Sequence, residues 1–134
     1  MKRLTVLFLS IVILAGCSTP AKSAEQHGHG ISIEMSNSLD IKHMTLIKYV
    51  DGKEVVSENV IHADNGPFKK GDITWFDISP SAESNTKSEL AISYGENLDG
   101  TNAHKTETID ISNANEWVNV EFTKDFQLRV IDMK

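Results

Sequence analysis

Apolar and polar residues alternate in short runs from residue 31 to the end of the chain, and turn residues separate the runs. Alternation with a period of two is typical of β-strands that bury one face. No run beyond residue 16 has the i, i+3, i+4, i+7 spacing of an amphipathic helix. The pattern therefore predicts seven to nine short strands. Their central segments are 31–35, 39–50, 54–63, 73–78, 90–94, 106–111, 118–122 and 126–130.

Turn residues between these runs indicate how the strands connect. Asp51-Gly52 directly follows the second run and predicts a tight hairpin. Asn65-Gly66-Pro67, residues 79–87 and residues 95–104 mark longer loops. Short strands at this spacing predict an all-β fold, namely an antiparallel β-sandwich of the immunoglobulin-like or a related type. A small β-barrel is the alternative.

Counting alternate positions places four distinctive side chains on the predicted strands. His43 falls on the face that carries Ile41, which is interpreted as the apolar face of its strand. The neighbours Trp75 and Phe76 point to opposite faces of a run that is apolar on both sides, as in a central or sandwich-core strand. Trp117 falls opposite the apolar face of its strand. It is therefore either an exposed binding contact or covered by a loop or by the N-terminal segment.

The N-terminal residues 1–16 have a different pattern. Lys2 and Arg3 precede an apolar run from Leu4 to Leu14, and small residues follow it. This order is that of a secretory signal peptide. The apolar run is shorter than the roughly 20 residues that a membrane-spanning helix needs. The segment is therefore interpreted as a signal that directs export.

Leu14-Ala15-Gly16-Cys17 ends this signal and resembles the lipobox of bacterial lipoproteins. The resemblance implies that Cys17 is lipidated and becomes the first residue of the mature chain, with palmitate-type acyl chains in the membrane. Two or three such chains form a lasting anchor. The expected organisation is a signal peptide at 1–16, a lipidated cysteine and polar tether at 17–30, and one β-sandwich domain at 31–134. The anchored domain faces away from the cytoplasm, on the cell membrane or an outer membrane.

The chain is acidic, with 13 Lys and Arg against 19 Asp and Glu and a formal net charge of −6. Loss of Lys2 and Arg3 with the signal leaves eleven cations against the same nineteen acids, a net charge of −8. No basic stripe is present, which argues against nucleic acid as a partner because phosphate contacts need clustered Lys and Arg. An acidic surface favours a basic protein or peptide as partner, and it also keeps a protein soluble.

Histidine and methionine provide an alternative chemistry. The pair His27 and His29 lies in the predicted tether, where two imidazoles could bind copper or zinc only weakly without further ligands. The remaining candidates for such a site are His43, His62, His104, Met35, Met44 and Met133. No paired-cysteine zinc pattern accompanies them, because Cys17 is the only cysteine. We expect no bound metal and no cofactor.

Carboxylates are numerous but scattered along the chain. The segments 64–66 and 96–102 offer oxygen ligands of the kind that calcium prefers, yet neither has the DxDxDG pattern, and Asp-Gly and Asn-Gly are common turn residues. No GxSxG, SxxK, HExxH, P-loop or GxGxxG motif is present. We therefore expect no catalytic residues.

The favoured hypothesis is a lipid-anchored, non-enzymatic binding module of the cell envelope whose partner is a protein or peptide. Its loops 79–87 and 95–104 supply the variable contact surface. One alternative is a copper- or zinc-binding envelope lipoprotein. The other is a small hydrolase with a site built from carboxylates and His43 or His62.

Overall fold

The computed structural model describes residues 29–134, in which nine β-strands and no helix occur. None of these residues belongs to a helix that could cross a membrane. Signal, Cys17, His27 and the tether up to residue 28 lie outside the described residues. The strands are β1 (Gly30–Met35), β2 (His43–Val50), β3 (Lys53–Ile61), β4 (Ile73–Phe76), β5 (Ser88–Gly95), β6 (His104–Lys105), β7 (Ile109–Asp110), β8 (Trp117–Phe122) and β9 (Leu128–Met133).

These strands form two sheets that pack face to face. The first sheet has the order β4-β1-β8-β9, and the second has the order β3-β2-β5-β6 with β7 also paired to β5. Only the β1–β8 pairing is parallel, and every other pairing in the described residues is antiparallel. The prediction of a sandwich built from short strands is confirmed, and the described sheets do not close into a barrel.

Alternate residues of the inner strands supply the core. In β1 the inward residues Ile31, Ile33 and Met35 are at most 1% exposed, and burial of each such side chain contributes about 1.5–3 kcal/mol. The facing positions on the other inner strands are also fully buried: Met44, Leu46, Leu90, Ile92, Val118, Val120 and Phe122. The core therefore follows the period-two pattern of the sequence closely.

In β2 the inward face differs from the prediction. Met44 and Leu46 point into the core, so the face that carries His43 points outward. The count was wrong because β2 begins only at His43, whereas Ile41 is buried from the preceding loop. Two alternating apolar sets overlap in this segment, and the choice between them is made by the facing sheet.

Lys48 also lies on the inward face of β2, with only 6% of its surface exposed. Its Nζ donates hydrogen bonds to the carbonyl oxygens of Ser79 at 2.7 Å and Ser81 at 2.8 Å. Burial lowers the pKa of the Lys48 amine because the charged form loses hydration. The Lys48 side chain thus holds the loop after β4 against the end of the core by these two hydrogen bonds.

Of the two predicted positions for this run, central or sandwich-core, β4 has the second: it lies at the edge of its sheet and supplies Phe76 to the core of the sandwich. Phe76 points into the core, and Trp75 points outward as the alternation predicted. The outward residue Trp75 is also apolar because its indole packs over Gly30 on the outer face of the sheet. Any Cβ on Gly30 would overlap the indole. Absence of a side chain at Gly30 is therefore a steric requirement.

Polar groups cross the outer face of the same sheet. Ser32 Oγ donates to Asn119 Oδ1 at 2.6 Å, and Asn119 Nδ2 donates to Asp132 Oδ1 at 2.7 Å. Ser32 and Asn119 are almost fully buried, so this chain of hydrogen bonds satisfies groups that would otherwise be costly to bury. Trp117 lies beside it and is only partly buried.

Strand directions separate the loops into two ends of the sandwich. The chain enters β1 at Gly30, and we call this the tether end. The β2–β3 turn and the loop 77–87 lie at the same end. At about 3.3 Å per residue, the six residues of β1 carry the chain about 20 Å away from it. The opposite, far end consists of loops 36–42, 62–72, 95–104 and 123–127.

The close packing of the Trp75 indole on Gly30 predicts that a side chain at position 30 destabilises the fold. Gly30→Ala places a Cβ against the Trp75 indole and 2.9 Å from the Phe76 carbonyl oxygen, so the free energy of unfolding should fall by about 1–3 kcal/mol. Gly95→Ala is the matched control, because its Cβ meets nothing closer than 3.5 Å. Urea denaturation measures both. Equal stability of the two variants would contradict the close packing of Trp75 on β1.

Candidate functional site

A cavity of about 540 Å³ opens at the far end of the sandwich. Its volume is typical of small-ligand sites, which span about 300–1,000 Å³. Loops contribute most of its wall, and strand ends contribute the rest. The lining residues are Asp40, Ile41, Tyr94, Gly95, Glu96, Asn97, Asn102, His104 and Phe126.

An aromatic cluster forms one wall of this cavity. Tyr94 lies on the inward face near the end of β5, and His104 is its register partner on β6. The Tyr94 ring lies 5.3 Å from the Phe122 ring in an edge-on contact. It also stacks on the Phe126 ring, with 5.2 Å between the centroids and only 5° between the Tyr94 and Phe126 planes. Burial raises the pKa of the Tyr94 phenol, so the ring is neutral at physiological pH.

Phe126 is the exposed member of the cluster, with 42% of its surface accessible. It lies in the β8–β9 turn, where its N–H donates to the Thr123 carbonyl at 3.0 Å. Its φ of +58° lies in the left-handed region that bulky residues rarely adopt. The sequence pattern placed Phe126 in the last strand, but β9 begins two residues later. An exposed aromatic ring in an unfavourable backbone conformation is a frequent feature of functional positions.

The loop between β5 and β6 forms the polar wall and is held by its own side chains. Asp99 Oδ1 accepts hydrogen bonds from the Thr101 N–H at 2.9 Å and hydroxyl at 2.7 Å. These bonds hold the pKa of the Asp99 carboxyl below its usual value. Asn97 Nδ2 donates to the Thr101 carbonyl at 3.2 Å. The carboxylate is therefore engaged in shaping the loop, as Asp-Gly turn chemistry predicts.

The His43 ring packs against the loop between β5 and β6. Gly100 lies against the imidazole, because a Cβ built on Gly100 would be 3.0–3.3 Å from three of its ring atoms. Among the described residues, His43 Nδ1 is buried without a hydrogen-bond partner. The ring thus packs against the loop, outside the cavity lining.

Charge in the cavity is negative. The two charged residues that line it, Asp40 and Glu96, are both acidic and exposed, and no Lys or Arg is among the described residues of its wall. The amides of Asn97 and Asn102 add hydrogen-bonding capacity beside them. A shallower cleft of about 480 Å³ shares Glu96 and Asn97 and so continues the surface past the loop.

His62, also at the far end, contacts two carboxylates. Its Nδ1 lies 2.7 Å from Asp64 Oδ1, and its Nε2 lies 3.3 Å from Asp72 Oδ2. Asp64 Oδ1 also accepts the Gly66 N–H at 2.7 Å, which contributes first to a lowered pKa of that carboxyl. With carboxylates against both ring nitrogens, the imidazole links two parts of one loop.

The candidate metal ligands lie in separate places. His29 is exposed at the start of β1, and Met35 and Met44 are buried in the core. His104 lines the cavity. Within residues 29–134, no group of three or more His, Cys, Asp or Glu side chains is arranged to hold a metal ion.

The sequence pattern identified part of this site. It indicated the loop 95–104 as a contact surface, and that loop forms the polar wall. It missed Asp40, Tyr94 and Phe126, because their convergence depends on three segments that are distant in the chain. Trp117 lies on an outer sheet face as predicted, well away from the cavity lining.

Phe126 provides a test of whether the cluster is maintained for stability. Phe126→Asn gives the turn a residue that tolerates positive φ, and this offsets the lost ring contact, so the free energy of unfolding should change by less than about 1 kcal/mol. Phe122→Ala, at the fully buried neighbour, should cost about 3–5 kcal/mol. Thermal and urea unfolding measure both variants. A comparable loss in the two would show that Phe126 serves the core.

Comparisons with known proteins identify only the N-terminus. Residues 1–18 match the family model described as the prokaryotic membrane lipoprotein lipid attachment site. No curated protein and no solved structure matches the chain. The lipobox interpretation of Leu14 to Cys17 is confirmed, and the chain has the lipid attachment signal of a bacterial membrane lipoprotein.

Proposed function

We propose that this protein is a non-enzymatic binding module that a lipid on Cys17 holds at the non-cytoplasmic face of the cell membrane or an outer membrane. Its partner is a basic protein or peptide, bound at the far end of the sandwich. The observation that carries the proposal is the cavity itself, which combines an exposed aromatic ring with two carboxylates and no lining cation among the described residues.

Position of the cavity relative to the anchor supports this function. Twelve residues separate Cys17 from Gly30, so the thirteen residue-to-residue steps between them span at most about 45 Å. β1 then leads away from the tether end, and its parallel pairing with β8 places the β8–β9 turn at the opposite end. The cavity therefore lies at the end from which the tether does not emerge. A partner can approach it without passing the attachment point.

Placement of the histidines favours binding over hydrolysis or metal handling. A general base needs a ring nitrogen free to take a proton from a substrate group. Both nitrogens of His62 face carboxylates of its own loop, and the His43 ring packs against Gly100. His104 lines the cavity together with Asp40 and Glu96, and its ring lies 5.8 Å from the Tyr94 ring. His43 and His62 are therefore engaged in contacts within the protein, away from the cavity lining.

Lipid attachment is tested by replacing the cysteine. Cys17→Ala removes the thiol that would receive the lipid, so acyl labelling with a palmitate analogue should be lost and the signal should remain uncleaved. Ser18→Ala is the control and should be labelled and processed as the wild type is. Mass spectrometry of the N-terminus reports both outcomes. Normal processing of Cys17→Ala would contradict the anchor.

Charge recognition is tested with defined peptides and the full lipoprotein in detergent. A peptide alternating Lys and Gly should bind, and its Gln-for-Lys counterpart should not. Affinity should fall on raising salt from about 50 to 500 mM, because exposed carboxylates are screened. The Asp40→Asn/Glu96→Gln variant should bind at least about fivefold more weakly, since it loses both charges. Fluorescence anisotropy measures the affinities.

The matched control removes the same charge at the tether end. Asp77→Asn/Glu83→Gln alters two exposed carboxylates there and should leave the affinity within about twofold of the wild type. Equal effects of the two double variants would show that only net charge matters. Failure of the cationic peptide to bind at low salt would overturn the proposed function.

A further inference from the structure

We propose that the cavity recognises a single arginine side chain of the partner, with the guanidinium on the open face of Phe126 and within reach of the carboxylates of Asp40 and Glu96. This inference rests on the proposed function and specifies its ligand.

The aromatic wall offers one open ring face. Tyr94 stacks on one side of the Phe126 ring with nearly parallel planes, 5.2 Å between centroids. Phe126 remains 42% exposed despite this contact, and it lines the cavity. A flat cation placed on such a face is attracted by the ring quadrupole, and guanidinium stacks there more readily than ammonium because it is planar and weakly hydrated.

The polar wall matches a group that only donates hydrogen bonds. Asp40 and Glu96 provide carboxylate oxygens, and Asn97 and Asn102 provide amide oxygens. Guanidinium has five N–H donors in a fixed plane and accepts no hydrogen bond. Several acceptors in one cavity with an exposed aromatic ring therefore fit arginine better than a lysine ammonium, which is a compact point charge. Neutral aliphatic side chains would leave these carboxylates without compensation.

The size of the cavity indicates a side chain within a polypeptide. Its volume of about 540 Å³ exceeds what one guanidinium fills, and the adjoining cleft shares Glu96 and Asn97 with it. Lys42, Leu98 and Asp99 line that cleft and offer both charges and one apolar contact. Residues flanking the arginine can lie along this continuous surface. A free small cation would use only the first cavity.

The test varies one position of a common peptide, Gly-Lys-Gly-X-Gly-Lys-Gly with blocked ends, against the full lipoprotein in detergent. With X as arginine, the affinity should be at least about tenfold higher than with citrulline, which has the same shape without the charge. It should be at least about threefold higher than with lysine. Isothermal titration measures each dissociation constant.

Two variants locate the effect. Phe126→Leu keeps an apolar side chain and removes the ring face, so it should reduce the preference for arginine over lysine to about one. Ile131→Leu alters another exposed apolar residue, on β9, and should preserve the preference.

The outcomes separate this inference from the proposed function. Equal affinity for arginine and citrulline, or an arginine preference that survives Phe126→Leu, overturns the arginine site. If the peptide with X as lysine still binds through Asp40 and Glu96, the proposed function stands without the arginine site. If neither peptide binds, both fall. Binding that is equal for arginine and lysine but lost with citrulline shows a general cation site and also overturns the inference.

Discussion

The position of β1 in the middle of its sheet is the constraint on which the rest of the architecture depends. This strand pairs with β4 on one side and with β8 on the other, and its inward side chains are at most 1% exposed. Because β1 is parallel to β8, both strands begin at the tether end and both lead to the far end. The same pairing therefore fixes the core, the entry point of the chain and the direction in which the cavity faces.

The candidate site on this scaffold is formed by segments that the two sheets bring together. Tyr94 belongs to one sheet, Phe126 to the turn that closes the other, and Asp40 to the connection between them. No single strand contains the site, and each segment also closes the end of the core. The aromatic cluster connects the core with the cavity, because the fully buried Phe122 ring contacts the exposed Phe126 ring. The core and the candidate site thus share one set of aromatic contacts.

Local patterns predicted the features that local physics determines. Period-two alternation identified β1, β5 and β8, and Asp51-Gly52 identified the β2–β3 hairpin. The lipobox was identified because it is a contiguous motif. Prediction failed where long-range packing decides. The outward direction of His43 depends on the facing sheet. The cavity joins residues more than 80 positions apart, such as Asp40 and Phe126, so no sequence window contains it.

The arrangement of β1 and β8 has a mechanical consequence for a protein anchored at one end and loaded at the other. A partner held at the far end pulls on the β8–β9 turn, while the membrane pulls on β1 through Gly30. The two neighbouring strands are then drawn in opposite directions along their length, from Gly30 opposite Trp117 to Met35 opposite Phe122. All hydrogen bonds of that ladder bear the force together in shear, and none is opened singly as in a peeled edge. The fold thus joins its anchored end to its far end through shear, the geometry in which a β-sheet resists force best.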